Sequence, residues 1–449
     1  MKRRLIKPDS TPALSLGPES STSKYNRVEL RQEPDILLPR RSTYVRNGVS
    51  LLSRQGNVHS HGHYFMKVSI AVCGRFHFHN YIEKLDRAGI LDTFYYSHKI
   101  NNSAFSLSRG RAVNIWPKEY AVRAHAKFLK NRFSDLLYPA YHDLWQLGAR
   151  SKWRPVQLLH VMAHGTSRQL VQKAKREGSI AIGEVVNTHP IYRERILATE
   201  EANRGLPRSK TINRQQQRLI EELAMYDYLL APSSIVRDSL IQQGTPSDII
   251  HVIPYAANVK RFYPLGQRQK PKDRLNILCV GQINLRKGQL YLLEAVKKLN
   301  SNFFHVTLIG KVDPQIESLL APYRHLFTHI PRVDNAELNK HYNSADLFVL
   351  PSLEEGLAVV LCEALAAGLP IIATHESGAS EIIEHGRSGT IIHAGSAAEL
   401  ANSINEIASF PEKLERFSVE AISAAARTHN WDQYVDKLVE VYADAYTRK

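Results

Sequence analysis

The sequence predicts an α/β chain built as two Rossmann-like halves. Short buried apolar runs alternate with segments of helical period from about residue 67 onward, the pattern of a parallel sheet wound by helices. At 449 residues the chain exceeds one hydrophobic core and suggests two domains of about 200 residues plus appendages. Near residue 250 the pattern changes character and then starts again.

Met1 to about His63 is rich in Ser, Pro, Arg and Gln with little apolar periodicity, which predicts a disordered tail over residues 1–64. Its opening, MKRRLIKPDSTPALSLGPESS, has no apolar h-region, against a cleaved secretory signal. The first domain is expected over 65–262. Lys67–Cys73 forms a strand, Gly74 and Arg75 turn, and FHFHNYIEKLDRAG follows as a helix, the strand–turn–helix start of a Rossmann-like half. Pro155–His160 reads as a strand, Thr166–Glu177 as a helix, Ser179–Val186 as a strand, and Leu223–Ala231 as a further short αβ step. The second domain is expected over 263–428, after the crossover HVIPYAANVKRFYP and the solvated linker RQKPKDR. Strand Asn276–Val280, helix Gly288–Lys298, strand His305–Gly310, helix Ala336–Ser344 and strand Leu347–Leu350 repeat the alternation. Residues 429–449 close the chain as a helix.

The net charge of +16 admits nucleic acid, anionic lipid or phosphorylated small molecules as partners and does not choose among them. The basic residues are densest in the tail and from Lys118 to Arg154, and no RNP, KH or zinc-finger pattern accompanies them, so no nucleic-acid partner is expected. No window approaches 18 uninterrupted apolar residues, so no transmembrane helix is expected. Cys73, Cys279 and Cys362 are scattered in apolar segments and read as buried thiols of a reducing compartment, which points to a cytoplasmic protein.

PSLEEGLAVVLCEALAAGLPIIATHESGASEII, Pro351–Ile383, is the most informative stretch. Gly356 and Leu357 form a turn, Ala358–Ala367 a helix, Gly368 and Pro370 its stop signal, and Ile371–Thr374 a buried strand. A helix N-terminus presents unpaired N–H groups and a positive dipole end, suited to a diphosphate. Glu355 stands just before the helix and Glu363 about two turns in, on the order of 10 Å apart along the axis. That is the length of a sugar diphosphate.

The Glu-x7-Glu spacing, the EGLA turn and the LAAGLPIIAT run resemble the donor-binding segment of the GT-B retaining glycosyltransferases of family 4, also called group 1. The resemblance implies the GT-B fold, two Rossmann-like domains facing across a cleft, with the closing helix packed back on the first domain. It also implies that Glu355 faces the donor sugar and that Glu363 holds the ribose. In GQINLRKG, Gly281–Gly288, Lys287 matches the lysine that neutralises the leaving diphosphate, but the family's arginine position is Gln282. Either Arg286 or a cation of the first domain supplies the missing charge, or leaving-group stabilisation is weaker. His189 closes IAIGEVVNTHP at the carboxyl end of a buried strand, where ligands collect in open sheets, and the resemblance places it by the donor sugar. Gly74 and Arg75 resemble the glycine-containing loop near donor and acceptor, without its double glycine. His77, His79, His160 and His164 are weaker candidates. The spacing of His160 and His164 suits a metal only on one helix face, and the run before them reads as a strand end. The chain has no Asp-x-Asp, against a metal-dependent GT-A enzyme, so no metal or other cofactor is expected.

The implied activity is transfer of a sugar from a nucleoside diphosphate to an acceptor hydroxyl with retention of configuration, in polysaccharide or glycolipid assembly. The acceptor would be a sugar, a glycolipid or a polyprenyl-linked sugar, with peripheral contact to an anionic membrane. Another GT-B enzyme, an epimerase or phosphorylase, and a non-catalytic nucleotide-sugar-binding protein remain open alternatives.

Overall fold

The computed structural model describes residues 66–74, 76–98, 106–130, 132–209, 212–266, 271, 273–427 and 430–448. The expected tail, Arg75 and most of the linker's first half lie outside them. The first domain runs β1 (Val68–Val72), a 3-10 turn, α1 (Ile82–Arg87), β2 (Leu91–Tyr96), β3 (Ala112–Asn114), α2 (Pro117–Leu129), α3 (Ser134–Lys152), β4 (Leu158–Ala163) and α4 (Arg168–Arg176). It continues with β5 (Ile180–Val185), α5 (Pro190–Asn203), α6 (Arg214–Leu223), β6 (Tyr228–Ala231), α7 (Ser234–Ile241) and β7 (Ile250–Val252). These strands form a parallel seven-stranded sheet in the order β3-β2-β1-β4-β5-β6-β7. β1, β4 and β5 are buried at every position, as befits a sheet covered on both faces.

The second domain repeats the plan. β8 (Leu275–Val280), α8 (Gln289–Leu299), β9 (Phe304–Ile309), α9 (Glu317–Leu320), β10 (Phe327–Ile330) and α10 (Leu338–Ser344) are followed by β11 (Leu347–Leu350), α11 (Val359–Ala366), β12 (Ile371–Thr374), β13 (Gly389–Ile392) and α12 (Ala397–Ser409). The parallel six-stranded sheet has the order β10-β9-β8-β11-β12-β13. Each sheet reverses its winding once, between β1 and β4 and between β8 and β11. In open α/β sheets ligands bind outside the carboxyl ends of the strands at such a switch point. The loops that leave β8 and β11 are therefore the privileged positions of the second sheet.

Several elements were not picked out from the sequence, among them α5, α7, α12 and the hairpin of α2 and α3. Pro139 lies inside α3, where a proline ordinarily breaks a helix, and much of the apolar surface of this hairpin faces solvent. The strand expected at Pro155–His160 sits three residues later, since Pro155 has no N–H to give the ladder and the apolar run extends through Ala163.

After α13 (Pro411–Arg427) the chain returns to the first domain as α14 (Trp431–Thr447), started by Asn430, whose side chain accepts from the N–H groups of Asp432 and Gln433. The docking is polar at its centre. Glu184, buried in β5, lies 2.5 Å from His77 Nε2 and 3.2 Å from His160 Nε2, and accepts from the Tyr434 hydroxyl of α14 at 3.2 Å. His160 Nδ1 meets the Tyr442 hydroxyl at 2.6 Å. Burial pushes the Glu184 carboxyl up, but His77 and His160 outweigh it and hold the group below the ordinary carboxylate range. One apolar core joins this face of the first sheet to the second domain and α14, and a second core fills the other face around Trp145 and Leu170. Truncating one partner of a buried pair leaves the others without compensation. Glu184→Ala is expected to lower unfolding free energy by about 3 kcal/mol in chemical denaturation. A loss below about 1 kcal/mol would assign the docking to apolar packing alone.

Candidate functional site

The two switch-point loops of the second sheet are Gly281–Gly288, after β8, and Pro351–Ala358, after β11. They are packed tightly together. Gly288 has φ +67°, and a Cβ there would lie 2.0 Å from the Pro351 carbonyl oxygen, so only glycine lets the loops meet. Asn284 caps the short turn Leu285–Lys287 by accepting from the Lys287 N–H at 3.0 Å. Arg286 then links the loops: its carbonyl accepts from Leu353 N–H, and its guanidinium donates to the Glu354 carbonyl at 3.1 Å.

Four charged side chains are gathered at this junction. Glu355 Oε1 lies 2.6 Å from Lys287 Nζ and 2.9 Å from the Arg286 guanidinium, which also reaches Glu354 at 3.5 Å. Glu354, Glu355 and Lys287 are buried. Burial alone would lower the Arg286 pKa, but Glu355 and Glu354 more than reverse this and raise it. Glu354 also reaches the first domain, accepting from Thr188 N–H at 3.2 Å and from Thr188 Oγ1–H at 2.6 Å. Gly356 presses on the same segment. A Cβ there would sit 1.8 Å from the Val186 carbonyl oxygen, and the Gly356 carbonyl accepts from Ser233 of the first domain.

His189 follows Thr188 and caps α5, with Pro190 in the first turn where its missing N–H costs nothing. Its Nδ1 accepts from Ile191 N–H at 3.2 Å, which leaves the proton of the neutral ring on Nε2. Burial lowers its pKa and favours that neutral form. One turn further, Arg193 is half-buried and makes no side-chain hydrogen bond or ion pair among the described residues. Burial lowers its pKa; Glu354 opposes this and nearby Arg286 adds to it. Arg193 and Arg286 line one 270 Å³ cavity between the domains with Glu201, Ser209, Asn284 and Asp313.

Glu363 lies in the second turn of α11 and accepts from the Tyr342 hydroxyl of α10 at 2.9 Å. Burial pushes its pKa up to about 7, against the pull of Tyr342 and Arg261.

The structure thus brings together Lys287, Glu355, Arg286, Gly281, Gly356, Leu357 and, through Thr188 and Glu354, the segment carrying His189. Lys287 and Glu355, expected to serve phosphate and sugar separately, are paired with one another. Gln282 is exposed at the rim, its carbonyl held by Gln289. Gly74, φ +127°, is bonded within the first domain, its carbonyl to His98 Nδ1 at 2.8 Å; Arg75 lies outside the described residues. His77 and His160 belong to the Glu184 cluster, and His79 lies in the turn before α1. His164 lies just past the end of β4 and is brought by burial down to about 4. Cys73, Cys279 and Cys362 are free, buried thiols. Glu354, Thr188, Tyr342 and Arg193 were not singled out from the sequence. Arg193 had a usable signal, its four-residue spacing from His189 along one helix, whereas nothing local distinguishes Glu354 from Glu355.

Two Rossmann-like domains whose switch-point loops meet in this way define the GT-B architecture. Residues 265–424, within the second domain, match the family model described as glycosyl transferases group 1. Over 275 residues, 57% of this chain and 66% of the relative, the chain is 26% identical to the D-inositol 3-phosphate glycosyltransferase of Paenarthrobacter aurescens. It is 30% identical over 190 residues to the amylovoran biosynthesis glycosyltransferase AmsK of Erwinia amylovora, covering 40% of this chain and 46% of AmsK. The chain therefore spans about half to two thirds of the length of these relatives. Among solved structures, sucrose-phosphate synthase from Thermosynechococcus elongatus superposes with a TM-score of 0.59 at 19% identity, over 85% of this chain and 100% of that one. Anabaena HepE in complex with UDP and glucose gives 0.58 at 15%, over 84% and 100%. At these identities the superpositions establish the fold.

Glu363 generates a prediction on stability. Its folded pKa, about 7, lies above the unfolded value near 4.5, so the folded state binds the extra proton and loses stability as pH rises from about 4.5 to 7. Glu363→Gln removes that loss. The variant is expected to be more stable than the parent at pH 8, on the order of 3 kcal/mol, with the gap closing toward pH 5. Denaturation midpoints at the two pH values check this, and a gap independent of pH would show that Glu363 stays ionised.

Proposed function

We propose that this protein transfers a sugar from a nucleoside diphosphate donor to an acceptor hydroxyl with retention of configuration, as a family 4 enzyme. The observation that carries the reading is the buried quartet of Arg286, Lys287, Glu354 and Glu355 at a switch point, inside a segment matching group 1 glycosyl transferases. The HepE complex with UDP and glucose supports a nucleotide-sugar donor for this architecture. The acceptor is proposed to be a sugar, a glycolipid or a polyprenyl-linked sugar of polysaccharide or glycolipid assembly at the inner face of a membrane. AmsK, an amylovoran biosynthesis glycosyltransferase, supports that setting.

In this reading the diphosphate lies against the first turn of α11, beside Gly281, Gly356 and Leu357, where helix N–H groups lack intrahelical partners. Glu363 accepts from the ribose hydroxyls. Glu355 orients the sugar, and the Nε2–H of neutral His189 donates to it. As the bond from the anomeric carbon to the phosphate oxygen breaks, the diphosphate leaves with the electron pair. The acceptor oxygen bonds to the same face of that carbon, and its proton passes to a phosphate oxygen. Protein cations must meet the charge that develops on the diphosphate. Arg286 and Lys287 do so from their pairs with Glu354 and Glu355, and Arg193, with no such partner among the described residues, adds a third cation beside Arg286. We assign to Arg193 the role left open by Gln282.

A thermal-shift screen of nucleoside diphosphates and their sugars, followed by transfer from a labelled donor, tests the reading. Lys287→Ala should lower kcat by about a hundredfold or more, the usual cost of removing an oriented group that stabilises developing charge. Near-parental kcat would place the neutralising charge elsewhere. Arg193→Gln should weaken nucleoside diphosphate about tenfold and leave the bare nucleoside unchanged, as loss of one charge-assisted contact predicts. Equal effects on both ligands would make Arg193 a structural residue. Glu363→Ala should raise donor KM more than it lowers kcat, because a ribose contact is present in ground and transition states alike.

A further inference from the structure

Eight of the 18 large hydrophobic residues exposed on the described surface lie between Trp116 and Leu147, from the start of α2 through the turn that follows it into α3. Phe128 is 74% exposed and Phe133 69%. Soluble surfaces scatter such residues singly; a contiguous group marks a surface with a partner. The turn holds them outward. Lys130 and Phe133 have φ of 48° and 61°, a left-handed conformation that a bulky residue such as phenylalanine seldom adopts. His125 Nε2 donates to the Arg132 carbonyl at 2.6 Å and ties the turn back to α2.

The same tip is cationic. Between Arg123 and Phe133 the chain carries Arg123, Lys127, Lys130 and Arg132 and no acidic residue. Exposed Asp135 follows in the first turn of α3 and leaves the tip net positive. Aromatic and aliphatic side chains interspersed with lysine and arginine fit an interface that is apolar within and negatively charged at its surface, which is an anionic bilayer.

The placement of the hairpin gives the surface a use. Gln146 of α3 accepts from Gln169 N–H in the first turn of α4, so that level of α3 lies at the carboxyl edge of β4. Residues Ser134–Trp145 continue past it by about 18 Å. The carboxyl edge is also the edge on which His189 follows β5. We propose that the α2–α3 hairpin is a membrane-docking tip that inserts Phe128 and Phe133 into an anionic lipid surface and holds the carboxyl edge of the first domain toward it. The use rests on the transferase reading, since a lipid-linked acceptor would then reach the cleft from the bilayer; the docking does not.

Flotation of the full chain with vesicles tests the docking. The chain is expected to float with phosphatidylcholine vesicles containing about one third phosphatidylglycerol, and at least about tenfold less with phosphatidylcholine alone. Phe128→Ser with Phe133→Ser should reduce anionic binding by about tenfold or more, as expected for losing two buried phenyl groups. Lys130→Glu with Arg132→Glu should reduce it similarly and flatten its salt dependence. Nucleoside diphosphate affinity, which reads the cleft, should be unchanged in both variants. Absence of flotation with anionic vesicles overturns the proposal. So does flotation that both variants retain, which would move lipid contact elsewhere, or a concentration-dependent dimer that the phenylalanine variant abolishes, which would make the face an interface between copies.

Discussion

The site depends on one constraint: two acidic residues and two basic residues share a nearly dry junction between the loops that leave β8 and β11. In such a place an unpaired charge is far more costly than in water, so each side chain fixes its neighbour. Arg286 cannot move without releasing Glu354, and Glu354 cannot move without releasing Thr188 of the other domain. The glycines at 288 and 356 follow from the same demand, because the loops and the facing domain approach too closely for a Cβ. The junction is therefore a domain contact and, on the proposed reading, a binding surface as well. A ligand that draws Lys287 or Arg286 toward itself acts on the contact between domains as well as on its own affinity.

A second polar centre, around Glu184, governs a different relation. It lies under α14 and takes partners from β4, from the turn after β1 and from the last helix. Where the loop junction joins the domains across the cleft, this cluster fastens α14 to the first sheet. Beside these two centres, one apolar core includes residues of both domains and of α14.

Much of this was legible in the sequence, for identifiable reasons. The strands Leu347–Leu350 and Ile371–Thr374 were readable to the residue because uninterrupted apolar runs were bounded by Pro351, Gly368 and Pro370. Glu355, Glu363 and Lys287 were singled out because their segments resemble those of a glycosyltransferase family, and the structure places Glu355 and Lys287 together. What stayed hidden was long-range. Tyr342 meets Glu363 across 21 residues, and Thr188 meets Glu354 across 166, and no periodicity encodes such pairings. The α2–α3 hairpin was hidden for the opposite reason: its apolar residues do not all face a core, so the usual equation of apolar stripe with buried face fails there.

The return of α14 also bears on synthesis. His160 and the tyrosine that completes its hydrogen bond are 282 residues apart, and Glu184 and its partner Tyr434 are 250 apart. Domains fold largely in order as they emerge from the ribosome, at roughly 5 to 20 residues per second. The first sheet therefore emerges well before the helix that covers Glu184, with a carboxylate and two imidazoles open to water on a face that will later be dry. Closing that face waits on α14, whose Tyr434 lies 250 residues beyond Glu184, and a transcript cut short before Trp431 would leave the first domain with its lid missing.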